Sequence, residues 1–180
     1  MEGARVRHTG VMALFGRTTL EPDTDVALTQ LVGRRPRILA SGRGTEGEVV
    51  GLIDRLVFPT GGQWRQLFWH DVERGNWDQA SRRLRWTTVA GEASEVELTE
   101  TGLLPDLFNE RVTASIACMR VVDLTTKGTA VITARRDLGD ATAPLVWRTS
   151  PGKGVSAAAV AGDPAVAGEL ARLRVEYDLG

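Results

Sequence analysis

Residues 47–89 constrain the fold more than any other part of the chain. EVVGLIDRLVF at 48–58 sets two short apolar runs on either side of Asp54 and Arg55. Each is too short for a free-standing helix, and together they read as strands meeting at a tight polar turn. QLFWHDV at 66–72 is a third, aromatic-rich run, and GNWD at 75–78 separates it from a fourth, RLRWTTV at 83–89. In that fourth run Leu84, Trp86 and Thr88 alternate with Arg83, Arg85 and Thr87, the period of a half-buried strand. The stretch is a meander of antiparallel strands.

The flanking sequence extends the sheet and adds helices. Asp23 and Thr24 are placed to cap a short helix through Leu31, with Val26, Leu28, Leu31 and Val32 partly periodic, Gly33 at its stop and Pro36 beyond. Residues 37–40 begin the sheet, and 41–47 form a connecting loop. After a turn at 91–94, Val96 and Leu98 alternate inward against Glu95 and Glu97, which are expected to pair across the hairpin with Arg83 and Arg85. Pro105 suits a first helical turn, and Leu104, Leu107, Phe108, Val112 and Ile116 fall at helical spacing around and after it, predicting a helix within residues 104–116. Residues 117–124 and 129–135 read as strands joined at Thr126, Lys127 and Gly128, with Val131, Thr133 and Arg135 opposite Ala130, Ile132 and Ala134. Residues 144–148 make a last strand and 150–162 a loop. Asp163 followed by Pro164 starts a terminal helix whose one face carries Val166, Leu170, Leu173 and Tyr177.

LIDRLVF at 52–58 resembles the T-D-R-R-L-hydrophobic hairpin of bacterial PH-like (pleckstrin-homology-like) domains. Ile53 stands where a small polar turn residue is usual. WHDVERGNWD at 69–78 and ERVTASI at 110–116 resemble an actinobacterial group of PH-like proteins, so that the likeness covers residues 34–178. It implies a mainly β, α+β fold: a PH-like antiparallel β-sandwich or partly open barrel with a helix near 104–116 and a C-terminal capping helix. It carries over no activity and no catalytic residue. Residues 1–22 then read as a flexible arm and 23–180 as a single PH-like domain; Met12 is an alternative start to Met1.

Composition narrows the function classes. The 22 basic and 23 acidic residues leave a net charge of -1, so no global field recruits nucleic acid or an anionic membrane. Cys118 is the one cysteine, which excludes an intrachain disulfide and suits a reducing cytoplasm. The five apolar residues at 11–15 fall short of a signal-peptide core of at least about seven, and no run reaches the eighteen or so that a membrane helix needs.

Several stretches imitate sites. Gly42 to Gly47 matches G-x-G-x-x-G after a short strand, the basis of a nucleotide-binding or enzymatic alternative. Glu46 and Glu48 would repel a pyrophosphate there, and no alternating strand and helix units follow, so a plain Gly-rich hairpin loop is the preferred reading. Pro151-Gly-Lys-Gly154 lacks phosphate-loop spacing. His8 and His70 are the two histidines, too few for a His-rich metal site, and His70 would need a chance meeting with Cys118 to form a catalytic pair. Ser115 has no nucleophile elbow around it. The tryptophans Trp64, Trp69, Trp77, Trp86 and Trp147 interleave with arginines in the manner of a single-strand stacking platform, yet residues 61–90 hold five arginines against Asp71, Glu73 and Asp78, and core or rim packing is the simpler account. The acidic run Glu92, Glu95, Glu97, Glu100, Asp106 and Glu110 reads as a solvated face. No catalytic, cofactor or metal residue is therefore assigned. The expectation is a non-enzymatic binding or scaffolding module whose partner is another protein or a second copy. Nucleic acid is not expected, and polyphosphoinositide is disfavoured because Arg43 stands alone against Glu46 and Glu48 near the first hairpin.

Overall fold

The turn at Asp54 and Arg55 positions everything around it. In this computed structural model, which describes residues 20–178, the Leu52 amide donates to the Arg55 carbonyl at 2.8 Å and the Trp69 amide to the Asp54 carbonyl at 3.0 Å. Arg55 donates from Nε to the Asp54 carboxylate at 2.8 Å and lies over the Phe68 ring at 4.2 Å. The Asp-Arg pair thus joins three successive segments and leaves the flanking apolar runs free to pair as strands.

Seven strands result: β1 (Ala40–Gly44), β2 (Glu48–Gly51), β3 (Arg55–Thr60), β4 (Gln63–Phe68), β5 (Val72–Asp78), β6 (Arg83–Thr88) and β7 (Ala93–Glu100). They form one antiparallel sheet in the order β4-β3-β2-β1-β7-β6-β5, curled into a half-barrel. β4 and β5 are neighbours in the chain but lie at opposite edges, bridged by a 3-10 turn, Trp69–Asp71. Gly61 and Gly62, at φ 58° and 73°, make the two-residue turn between the paired Thr60 and Gln63, a conformation that favours glycine at both places.

The inner face holds Val49, Leu56, Phe58, Leu67, Val72, Leu84, Trp86 and Leu98. Phe58 meets Trp86 edge-on at 5.3 Å, and the Trp69 indole donates to the Leu52 carbonyl at 3.1 Å. Helix α1 (Pro22–Val32) covers the outer face of β2 and β3, where Leu28 packs with Val50, Leu52 and Val57. Burial on both faces explains why this stretch of sequence is nearly continuous apolar rather than alternating.

Helix α2 (Leu104–Ser115) inserts Leu104, Leu107 and Phe108 into the inner core. Three strand glycines make room for it. A Cβ at Gly51 would collide with Leu107, one at Gly75 would lie 2.5 Å from the Phe108 ring, and one at Gly42 would lie 2.9 Å from Leu104 Cδ1.

A second sheet follows without a linker: β8 (Ile116–Asp123), β9 (Thr129–Arg135) and β10 (Val146–Pro151), in the order β10-β9-β8. Cys118, Ala130, Ile132 and Ala134 face α3 (Ala157–Ala161) and α4 (Pro164–Asp178) through Val160, Val166 and Leu173. Asp163 caps α4, its carboxylate accepting from the Ala165 amide at 2.9 Å. The terminal helix therefore caps a sheet as expected, but the sheet is this small one; α2 serves the seven-stranded sheet. Val166 and Leu173 are buried, Leu170 is half-buried and Tyr177 sits at the rim against Trp147.

Several boundaries differ from the sequence reading. α1 starts at Pro22, with Glu21 as N-cap, because proline suits a first turn; Leu20 already packs beside it. Val26 is 56% exposed and belongs to no buried face. Residues 1–19, with the arm, His8 and the Met12 start, lie outside the described residues. Residues 41–44 are strand, leaving 45–47 as the turn. Residues 75–78 are strand as well: Asp78 accepts from the Ala80 and Ser81 amides and sets the turn at 79–82, where Arg82 adopts φ 53°. The run 66–72 splits into the end of β4, the 3-10 turn and the start of β5. The last strand extends to Pro151, and part of the loop beyond it is α3.

Candidate binding surface

Alternation along the second sheet places Met119 and Val121 of β8, Val131, Thr133 and Arg135 of β9, and Arg148 and Ser150 of β10 on the face opposite α4. Met119 is 58% and Val121 61% exposed. The same face meets β5, where Ser150 Oγ donates to the Glu73 carboxylate at 2.8 Å. Arg135 is buried at this junction. It donates to the Ser115 hydroxyl at 2.8 Å and the Val112 carbonyl at 3.1 Å, both at the C-terminal end of α2, and to the Glu73 carbonyl at 3.3 Å. Every one of these acceptors is neutral, and burial pulls the guanidinium below its ordinary pKa. Between the two sheets is a cavity of about 190 Å³ lined by Glu73, Arg74, Val89, Met119, Val131, Thr133, Arg135, Arg148 and Ser150.

Among the described residues four strand edges are unpaired: β4, β5, β8 and β10. β4 exposes Gln63, Arg65 and Gln66; β5 is bulged between Val72 and Arg74; β10 ends in Pro151. Such features protect an edge. β8, eight residues long, has Arg120 and Asp123 but also two large exposed apolar side chains, and its register against β9 is regular from Cys118 to Asp123.

On β6 and β7 the charged side chains satisfy one another. Arg83 pairs with Glu95 and Glu97, and Arg85 with Glu95 and Asp78, the cross-hairpin pairing expected from the alternation. The Arg85 hydrogen bond leads the causes holding the Glu95 carboxyl below its usual pKa. Arg85 and Glu95 of this ladder line a shallow groove of about 600 Å³ along β5 to β7. Trp69 and Trp86 are core, Trp64 packs beside α1, Trp77 donates to Gln79 and Trp147 borders the second core; the five form no platform. Ser115 is fully buried, donating to the Val112 carbonyl at 2.7 Å. Cys118 lies in the second core, and hydrogen bonding with it leads the causes raising the Tyr177 pKa. His70 sits beside Phe68 and Asp71, so no Cys-His pair forms. Gly42 and Gly44 lie in β1, and β2 follows Gly47 where a phosphate-binding motif would need a helix. Arg43 is paired with Glu21, and Glu46 accepts from the Gly61 amide. The turn at 152–154 precedes a five-residue helix capped by Ser156.

Among the described residues no group of three His, Cys, Asp or Glu side chains is placed to hold a metal ion. None of their helices is long and apolar enough to cross a membrane. No protein-family model, curated protein or solved structure matches the chain.

Sequence reasoning set Val131, Thr133 and Arg135 on one face of β9 but assigned a role to no residue of this surface. Arg135 carried a signal, since it alternates with two side chains that leave the α4 face and directly precedes a polar loop. Met119 and Val121 carried none, because β8 is apolar on both faces.

Proposed function

We propose that the chain is a non-enzymatic, PH-like protein-binding module that takes an extended segment of another protein, a second copy included, along β8. The observation carrying this reading is the unprotected edge of β8 with Met119 and Val121 exposed beside it. A strand added there gains backbone hydrogen bonds that require little sequence signature. The PH-like assignment is supported by the order of elements: a curled antiparallel meander followed at once by one amphipathic helix, α2. Lipid is disfavoured because the one arginine of the first hairpin is engaged by Glu21 and its neighbours are acidic. Sedimentation equilibrium and cross-linked pull-downs should reveal an assembly that Val121→Lys abolishes, while Thr87→Lys on the far sheet leaves it intact. Flotation on anionic liposomes at physiological salt, with a monomer and an empty pull-down, overturns the proposal.

A further inference from the structure

Three arginines line one small cavity at the junction between the sheets, and of β8 only Met119 is shared with it. Arg135 is 6% exposed and makes no ion pair; its partners are a hydroxyl and two backbone carbonyls. Arg74 and Arg148 line the same cavity, and neither has an ion-pair partner among the described residues. The one carboxylate in the wall, Glu73, accepts from Ser150 and is the nearby counter-charge to Arg135. It offsets one of the three positive charges that line the cavity, and a wall left with a net positive balance around a largely buried cation is set to attract an anion. The cavity of about 190 Å³ equals about six waters of liquid at ~30 Å³ each. Its apolar walls, Val89, Met119 and Val131, offer nothing to the remaining oxygens of a phosphate but suit a short hydrocarbon body. A planar carboxylate matches the fork of an arginine.

We infer that this cavity is an anion site for a small aliphatic carboxylate, its head held among Arg74, Arg135 and Arg148 and its body against Val89, Met119 and Val131. The carboxylate is either that of a free short-chain acid or the terminus of a polypeptide.

The test is NMR titration of the 15N-labelled full chain, following the arginine Nε–Hε resonances, with butyrate, butyramide and inorganic phosphate at constant ionic strength. Butyrate should produce saturable shifts at Arg135 and Arg148, and butyramide none. Because Arg135 belongs to the structural junction, the exposed Arg148 carries the variant: Arg148→Gln should weaken butyrate by about tenfold. A valine-terminated pentapeptide with a free carboxylate that binds more tightly than both butyrate and its own C-terminal amide puts the group on a polypeptide; butyrate binding as tightly as the peptide makes it a free acid. Phosphate binding more tightly than butyrate overturns the carboxylate assignment, and no saturable shift with either anion up to high millimolar concentration overturns the site. Since Val121→Lys disables the edge and Arg148→Gln the cavity, failure of one proposal is distinguishable from failure of the other.

Discussion

At the scale of single residues, glycines show how little a local reading reveals of what a position is for. Gly75 sits in β5 with Asn76 after it, a pair whose chemistry suits a turn, yet the backbone there is strand and the missing side chain is room for Phe108. A Cβ would lie 2.5 Å from two atoms of that ring, and the ring is fixed on its other sides by Trp69 and Trp86. Gly75→Ala is therefore expected to destabilise the protein by about 1 to 3 kcal/mol through overpacking. Gly168 is the opposite case. It lies within α4, and the place its methyl group would take as alanine has nothing within 4 Å, so Gly168→Ala should stabilise by about 0.5 to 1 kcal/mol from helix propensity alone. Urea unfolding of the two variants checks both signs, and a neutral Gly75→Ala would mean that α2 is not seated against β5.

At the scale of elements, the parts legible in advance were those fixed by covalent spacing. The alternation that pairs Glu95 and Glu97 with Arg83 and Arg85, the bounds of β9, and the start of α4 at Asp163 and Pro164 all follow from a period or a cap that the chain carries locally. An amphipathic helix does not name its partner, which is why α4 proved to belong to the small sheet and α2 to the large one. The surface at β8 was illegible for a related reason: two apolar faces in sequence do not say which of them a later helix will cover. Asp163 ties such local chemistry to stability. Its carboxylate accepts from the Thr125 hydroxyl at 2.7 Å and the Thr125 amide at 2.8 Å as well as from the α4 amides, and the Thr125 hydroxyl leads the causes holding its pKa below the ordinary value. A depressed native pKa means that the unfolded chain takes up the proton first. The stabilisation is then complete above the unfolded value of about 3.9 and is lost as pH falls through the native value. Asp163→Asn retains a capping oxygen without the charge, so it should melt below the wild type at about pH 7, and the gap should narrow as pH falls below the unfolded value of about 3.9. A gap that does not narrow would assign the cap's contribution to geometry alone.

At the scale of the whole molecule, two cores share one junction. β8 follows α2 directly, the Arg136 amide donates to the Ser115 carbonyl at 2.7 Å, and Arg135 reaches from β9 to the end of α2 and to β5. Separating the cores would expose those acceptors and strip the buried guanidinium of all three partners at once, and hydrogen bonds to a charged group contribute about 1.5 to 3 kcal/mol each. The cores are thereby expected to unfold together. Leu173→Ala, a change to a fully buried residue of the second core, should cost about 2 to 5 kcal/mol yet leave a single transition, felt equally by the tryptophans packed in and around the first sheet. Arg135→Met keeps most of the aliphatic volume and removes the three bonds the guanidinium makes across the junction, with a loss of about 3 kcal/mol. Circular dichroism reads helices α1 to α4, the last two of them in the second core, whereas fluorescence is dominated by Trp64, Trp69, Trp77 and Trp86 beside the first. In the wild type and in Leu173→Ala the two signals should coincide along a urea titration, as an all-or-none transition requires. In Arg135→Met part of the dichroism should fall before the fluorescence, because α3 and α4 rest on the small sheet, whose tie to the first core is weakened. Coincident curves in that variant would show that the remaining contacts couple the cores, and that the arginine is held at the junction for what it binds.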